Sequence, residues 1–202
     1  MANCSEQIKI IAMEKRMPDW DRVLTTARGR GYFAFEFDGD IIDLITKIRA
    51  LLDSPTKCLR ILEIDGHGTP LSCNGLDLST VPIWGQQLMT LAPLGCARGW
   101  CEPECSIYLS GCNTGLSHIP MDPNTSVAQQ LAEAMRFNPA TFNHHITVYG
   151  SKGYLSGTNM NGDEVTEREY SEGIWPFSTD HPAKKGASDA TGSKCWLPYR
   201  NW

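Results

Sequence analysis

The chain has 202 residues, enough to bury one good core and suited to one large domain more easily than two. Its 41% apolar and 20% charged residues are ordinary for a globular protein, and 18 basic against 23 acidic residues leave a net charge of −5, which argues against nonspecific binding to nucleic acid or to anionic membranes. No run of about 18 apolar residues is present to span a bilayer, and Met1 to Lys15, with Glu6 and Glu14, lacks the basic–apolar–small layout of a signal peptide.

The expected location is therefore cytoplasmic, or that of an effector delivered without a classical leader. The eight cysteines (4, 58, 73, 96, 101, 105, 112 and 195) accordingly read as reduced thiols rather than as a disulfide framework.

In chain order, Ile8–Ala12 is a short strand. Met17–Arg28 is a helix, with Pro18 near its start and Trp20, Val23, Leu24 and Ala27 on one face. Tyr32–Phe37 is an aromatic strand after Gly29 and Gly31. Asp40 caps a helix Ile41–Leu52 whose Ile41, Leu44, Ile45, Ile48 and Leu51 form an apolar stripe. Leu59–Ile64 is the third strand and runs into Asp65-Gly66-His67-Gly68. Pro82–Leu91 is helical, and Ser106–Ser110 is the fourth strand. Thr125 or Ser126 caps a helix reaching Arg136, with Val127, Leu131, Ala134 and Met135 inward. Ile146–Tyr149 is the fifth strand.

This alternation predicts an α/β fold with a mostly parallel central sheet covered on both faces. After Gly150, Gly, Ser, Thr, Asn and charged residues dominate, with isolated Trp175, Trp196 and Trp202. The expected division is an α/β domain over 1–158, including a strand or hairpin near Tyr154–Ser156, and an irregular C-terminal extension over 159–202 packed on or flanking it.

In open parallel sheets, functional groups gather where loops leave the carboxyl ends of the strands. Two strands here end in reactive side chains: Leu59–Ile64 leads to His67, and Ser106–Ser110 leads to Cys112 in "LSGCNTG". If these strands are neighbours, imidazole and sulfur share one sheet edge. A thiolate attacks an acyl carbon, and an imidazole protonates the leaving amine and later activates water. Glycines let backbone N–H groups approach the developing oxyanion, and Gly68 and Cys112 are the candidate donors.

The pattern "LRILEIDGHGTP" followed by "CSIYLSGCNTG" resembles the catalytic core of clan CD cysteine peptidases. These include caspases, metacaspases, legumains, gingipains, separases, toxin self-processing domains and bacterial CHAT-type proteases, and "LSGCNTG" is most similar to the last. Caspases carry the histidine about 50 residues before the cysteine, and here the two are 45 residues apart, at positions 67 and 112.

The resemblance covers residues 59–117. It implies a caspase-like three-layer α/β/α sandwich, a His67–Cys112 dyad, an oxyanion site at Gly68 and Cys112, and no metal or organic cofactor. The implied partners are a protein or peptide substrate, including the chain itself, and a regulatory partner protein. The chain departs from its relatives two positions before the cysteine, where caspases have Gln, metacaspases an acid, and this sequence Ser110.

The substrate pocket is then left to Asp65, Ser110, Tyr149, Ser151 and Lys152. Lys152 would favour an acidic side chain before the cleaved bond, and Asp65 a basic one or an oriented imidazole. Two further functions use the same residues: an inactive binding module on the same fold, and a thiol-dependent acyltransferase or deamidase.

Other residues carry less. Cys96, Cys101 and Cys105 with Cys73 could hold zinc, but their x4 and x3 spacings fit scattered loop thiols better than a knuckle. His144 and His145 are adjacent and point to opposite sides of an extended chain. His118 is a rival base but ends no strand. Asp19, Asp21, Asp38 and Asp40 are explained by capping and turns. Lys184, Lys185 and Lys194 fit a solvated tail better than a site for an anionic activator.

Overall fold

The computed structural model describes residues 5–14, 20–29, 31–91, 99–101, 104–111, 114–115, 125–136, 145–151 and 196–200. Its elements are β1 (Glu6–Glu14), α1 (Trp20–Gly29), β2 (Tyr32–Phe37), α2 (Ile41–Leu51), β3 (Lys57–Asp65), β4 (Gly68–Thr69), β5 (Ser72–Cys73), β6 (Leu76–Asp77), α3 (Val81–Met89), β7 (Gly99–Trp100), β8 (Glu104–Ser110), α4 (Val127–Arg136), β9 (His145–Ser151) and β10 (Trp196–Arg200). The main sheet has the order β10-β9-β8-β3-β1-β2, with the short β7 paired to β3. β2, β1, β3, β8 and β9 run parallel, and β10 closes one edge antiparallel to β9. A small antiparallel sheet, β4-β5-β6, follows directly on β3.

Helices flank both faces because the strands carry apolar side chains on both. Ile10, Leu62, Ile64, Ile107, Leu109, Ile146 and Val148 bury against Leu44 and Ile48 of α2, Trp84 and Leu88 of α3, and Leu131 and Met135 of α4. The opposite face of β1 and β2 presents Ile11, Met13, Tyr32 and Ala34 to Leu24 and Ala27 of α1. Each such Leu, Ile, Val or Met side chain, fully buried, contributes about 1.5–3 kcal/mol relative to exposure.

The helices start where their caps are strong. Asp40 Oδ1 accepts the Ile42 N–H at 2.8 Å, and Ser126 Oγ accepts the Gln129 N–H at 3.2 Å, so Ser126 rather than Thr125 caps α4. Pro82 sits in the first turn of α3, where its missing N–H costs no hydrogen bond. β2 has its sequence-based limits, and β1, β3, β8 and β9 run one or two residues beyond theirs at one end or both, because ladder pairing extends past the apolar runs that reveal them.

Two expectations are corrected. Trp196–Arg200, assigned to an irregular extension, forms β10 of the main sheet; Pro198 hides this strand in the sequence and is tolerated because β10 lies at an edge. Cys58 and Cys101, read as reduced thiols, form a disulfide. The β3–β7 register opposes Cys58 to Gly99 and Leu59 to Trp100, bringing the two cysteine Cα atoms to 4.9 Å. The disulfide removes Cys101 from the four-cysteine zinc reading, and Cys73 and Cys105 instead approach the Ile64 and Cys101 carbonyls. Cys96, Asp19, His118, His144, the Tyr154–Ser156 hairpin and Lys184, Lys185 and Lys194 lie outside the described residues. No helix among the described residues is long and apolar enough to cross a membrane.

Candidate functional site

β3 and β8 are adjacent parallel strands that end in register, with Asp65 opposite Ser110. The turns that follow them, beginning at Gly66 and at Gly111, therefore leave the sheet side by side at its carboxyl edge.

The first turn holds His67 by its backbone and leaves its side chain exposed. Its N–H donates to Glu14 Oε2 at 2.9 Å, and its carbonyl accepts the Asn74 N–H at 3.1 Å. Glu14 reaches this position because β1 ends beside β3, with Met13 opposite Asp65. Asn74 lies just past β5, at φ 39°, and its Nδ2 donates to the Asp65 carbonyl at 3.1 Å. Small polar side chains such as Asn tolerate that left-handed geometry. Gly68 begins β4 and is half-buried.

The second turn packs onto the first through a residue that must lack a side chain. A Cβ placed on Gly111 would lie 2.8 Å from Gly68 Cα, 3.1 Å from the Gly66 carbonyl oxygen and 3.1 Å from Cys73 Sγ. The residue preceding Cys112 thus touches both glycines that flank His67. On the far side of the turn, Thr114 Oγ1 donates to the Leu109 carbonyl at 2.7 Å, and a Cβ on Gly115 would overlap the Gly150 backbone. The first turn of α4 holds the neighbouring β4–β5 turn and the segment after β8 with N–H groups that no helical carbonyl can accept: Val127 N–H donates to the Pro70 carbonyl at 2.8 Å and Ala128 N–H to the Thr114 carbonyl at 3.3 Å. Cys112 itself lies outside the described residues, as does Lys152.

Below this edge, on the sheet face that includes Ile61, lies a polar cluster. Glu63 and Asp65 are two residues apart and so share that face; both are fully buried. Ser110 Oγ donates to Glu63 Oε1 at 2.6 Å, whereas Glu63 Oε2 and Asp65 Oδ1 have no hydrogen-bond partner. Burial, and next the charge of Asp65, push the Glu63 carboxyl well above its usual range, against the Ser110 hydrogen bond. Burial also pushes Asp65 up to about 7, aided by the Glu14 charge and opposed by a hydrogen bond from the Gly66 backbone. Tyr108, opposite Glu63 in the register, stacks on Tyr149 of β9 with ring centroids 4.6 Å apart and planes at 16°. Ser151 ends β9, its Cα opposite that of Trp196.

Of the residues singled out in the sequence, His67, Gly68, Asp65, Ser110 and Tyr149 all belong to this one edge and the face beneath it. The sequence reading passed over Glu63 and Glu14. A signal for Glu63 was available: an acid alternating with Leu62 and Ile64 in a parallel strand expected to be buried on both faces. Glu14 depends on the β1–β3 register, a long-range fact with no local trace. Among the described residues, no group of three or more His, Cys, Asp or Glu side chains is arranged to hold a metal. No family model, no curated protein and no solved structure matches the chain.

Proposed function

We infer that the chain is a cysteine endopeptidase built on a caspase-like α/β/α sandwich. Cys112 is the nucleophile, His67 the general acid and base, and the backbone N–H groups of Gly68 and Cys112 the oxyanion donors. In this reading the Cys112 thiolate adds to the carbonyl of the scissile peptide bond. The His67 imidazolium gives its proton to the departing amine, leaving a thioester. Neutral His67 then takes a proton from water as the hydroxide attacks the thioester, and returns it to the leaving thiolate. Substrates are peptide bonds of a partner protein or of the chain itself.

The observation that carries this reading is the contact of Gly111 with Gly66 and Gly68, which ties the residue before Cys112 to the turn that presents an exposed His67. The mainly parallel sheet, with helices on both faces and these two turns at the carboxyl edge, supports the same reading. The Cys58–Cys101 disulfide favours a delivered effector over a protein working in a reducing cytosol.

The test is cleavage of a mixed peptide library read by mass spectrometry. Wild type is expected to yield hydrolysis products, Cys112→Ala none, and His67→Ala a rate about 10²–10⁴-fold lower. Unchanged cleavage in Cys112→Ala would overturn the assignment, and products heavier by a transferred group would indicate an acyltransferase instead.

A further inference from the structure

In the proposed reaction His67 gives its proton to the departing amine, so the peptide on the leaving side of the scissile bond starts beside the His67 imidazole. The structure next to that point is the hairpin into which His67 leads. β4 and β5 pair Gly68 with Cys73 and Thr69 with Ser72, which leaves Pro70 and Leu71 as a two-residue tip. The Leu71 side chain at this tip is 39% exposed. The other large apolar side chains exposed among the described residues, Phe33, Ile42 and Ile83, stand on β2, α2 and α3, away from the segment that leaves His67.

Hydrogen bonds fix the tip on all sides. The Thr69 and Ser72 hydroxyls bond each other at 2.9 Å, and Thr69 Oγ1 accepts the Leu71 N–H at 3.1 Å. The Pro70 carbonyl accepts the Val127 N–H of α4 at 2.8 Å. At the base of the hairpin the Asn74 N–H donates to the His67 carbonyl at 3.1 Å, and Gly111 packs on Gly68 and Cys73. Leu71 is therefore held at a set distance from His67 and from the residue before Cys112. Two-residue hairpin tips favour Asn, Asp and Gly, so turn chemistry does not account for a leucine here. Residues 66–76 contain no Asp, Glu, Lys or Arg. The hairpin thus offers an apolar contact and no ion pair.

An extended chain advances about 3.4 Å per residue, so the tip, three residues beyond His67, stands roughly 10 Å from it. A substrate strand leaving the imidazole covers the same distance in about three residues.

We propose that Leu71 receives an apolar side chain of the substrate, two or three residues beyond the scissile bond on the leaving side. This names part of the substrate of the peptidase reading and rests on it. The contact assists thioester formation alone, because the leaving peptide departs with the proton from His67 before water attacks the thioester. In a closed pocket one methylene changes discrimination about tenfold or more. An open tip touches its ligand on one side, and the expected preference is smaller.

The test gives one random decapeptide library to wild type, Leu71→Ser and Leu71→Glu, and identifies the new amino termini by mass spectrometry. In wild type, leucine, isoleucine and phenylalanine are expected to be enriched about fivefold over serine and aspartate at the second or third residue beyond the cleaved bond. Leu71→Ser is expected to reduce that enrichment to less than about twofold, and Leu71→Glu to replace it by enrichment in lysine and arginine. A mixture of acyl peptides ending in a coumarylamide, which has no residue beyond the scissile bond, is expected to be hydrolysed at the same rate by all three proteins.

Absence of apolar enrichment in wild type, or apolar enrichment that survives in Leu71→Ser or Leu71→Glu, would overturn the proposal. A coumarylamide rate that falls in Leu71→Ser would also overturn it, since the leucine would then act on the His67 turn and not on the leaving peptide. In each of these cases Cys112-dependent cleavage leaves the peptidase reading standing. No Cys112-dependent cleavage of the library would overturn both.

Discussion

At the scale of single residues, Gly111 and Asp65 bear the most consequence. A methyl group at Gly111 would press on the Gly68 backbone, the Gly66 carbonyl and Cys73 Sγ at once, and two of those three neighbours are main chain that cannot move aside cheaply. Gly111→Ala is expected to cost about 1–3 kcal/mol in urea unfolding and to lower the proposed peptidase activity by more than that loss of folded protein explains, because it pries the two turns apart. Stability like wild type with full activity would contradict the contact. Asp65 offers a pH-dependent readout. Its carboxyl is raised from an ordinary 3.8 to about 7, chiefly by burial, so between about pH 4 and 7 the folded chain holds more protons than the unfolded one. Stability then falls as pH rises, by up to about 1.4 kcal/mol per pH unit for one such group, and its contribution is gone above pH 7. Glu63, displaced in the same direction, adds to the slope. Asp65→Asn is expected to flatten the slope between pH 4 and 7 in chemical denaturation; an unchanged slope would show that Asp65 titrates normally.

At the scale of elements, two stabilising devices differ in how readable they are. Asp40 at the start of α2 is recognisable from local chemistry, an acid directly before an apolar stripe, and its bond to the Ile42 N–H follows. Asp40→Ala is expected to cost about 1 kcal/mol, measured as a shift of the unfolding midpoint. The Cys58–Cys101 disulfide closes a 43-residue separation at the opposite end of β3 from His67. Replacing both cysteines by alanine is expected to cost on the order of 2–4 kcal/mol while peptide cleavage per folded molecule stays the same. Nothing local announces this pair, since it requires β7 to pair with β3, and a two-residue strand has no period to detect. The same contrast holds elsewhere. The apolar runs of β1, β2 and β3 and the helical apolar stripes of α2 and α4 mark them in the sequence, whereas β10 is masked by its proline and by its dependence on β9. His67 and Cys112 stand out because glycines flank them at strand ends. That β3 and β8 are neighbours, and that Glu14 reaches the His67 N–H, become visible only once the sheet order is known.

At the scale of the whole molecule, the sheet orders the site. Five parallel strands deliver their loops to one edge, α4 holds the β4–β5 turn through Pro70 and the segment after β8 through Thr114, and the buried acids lie one layer beneath. In the proposed dyad the Cys112 thiol is activated as the thiolate by the imidazole beside it, and that chemical property is independent of which substrate the protein meets. The decisive measurement is the rate at which iodoacetamide alkylates each cysteine of the folded protein at pH 7, resolved by peptide mass spectrometry, in wild type and in His67→Ala. The expected result is that Cys112 reacts at least tenfold faster than any other thiol, and that this excess disappears in His67→Ala. Uniform labelling of the accessible thiols, or a Cys112 rate that does not change when His67 is removed, would contradict the dyad.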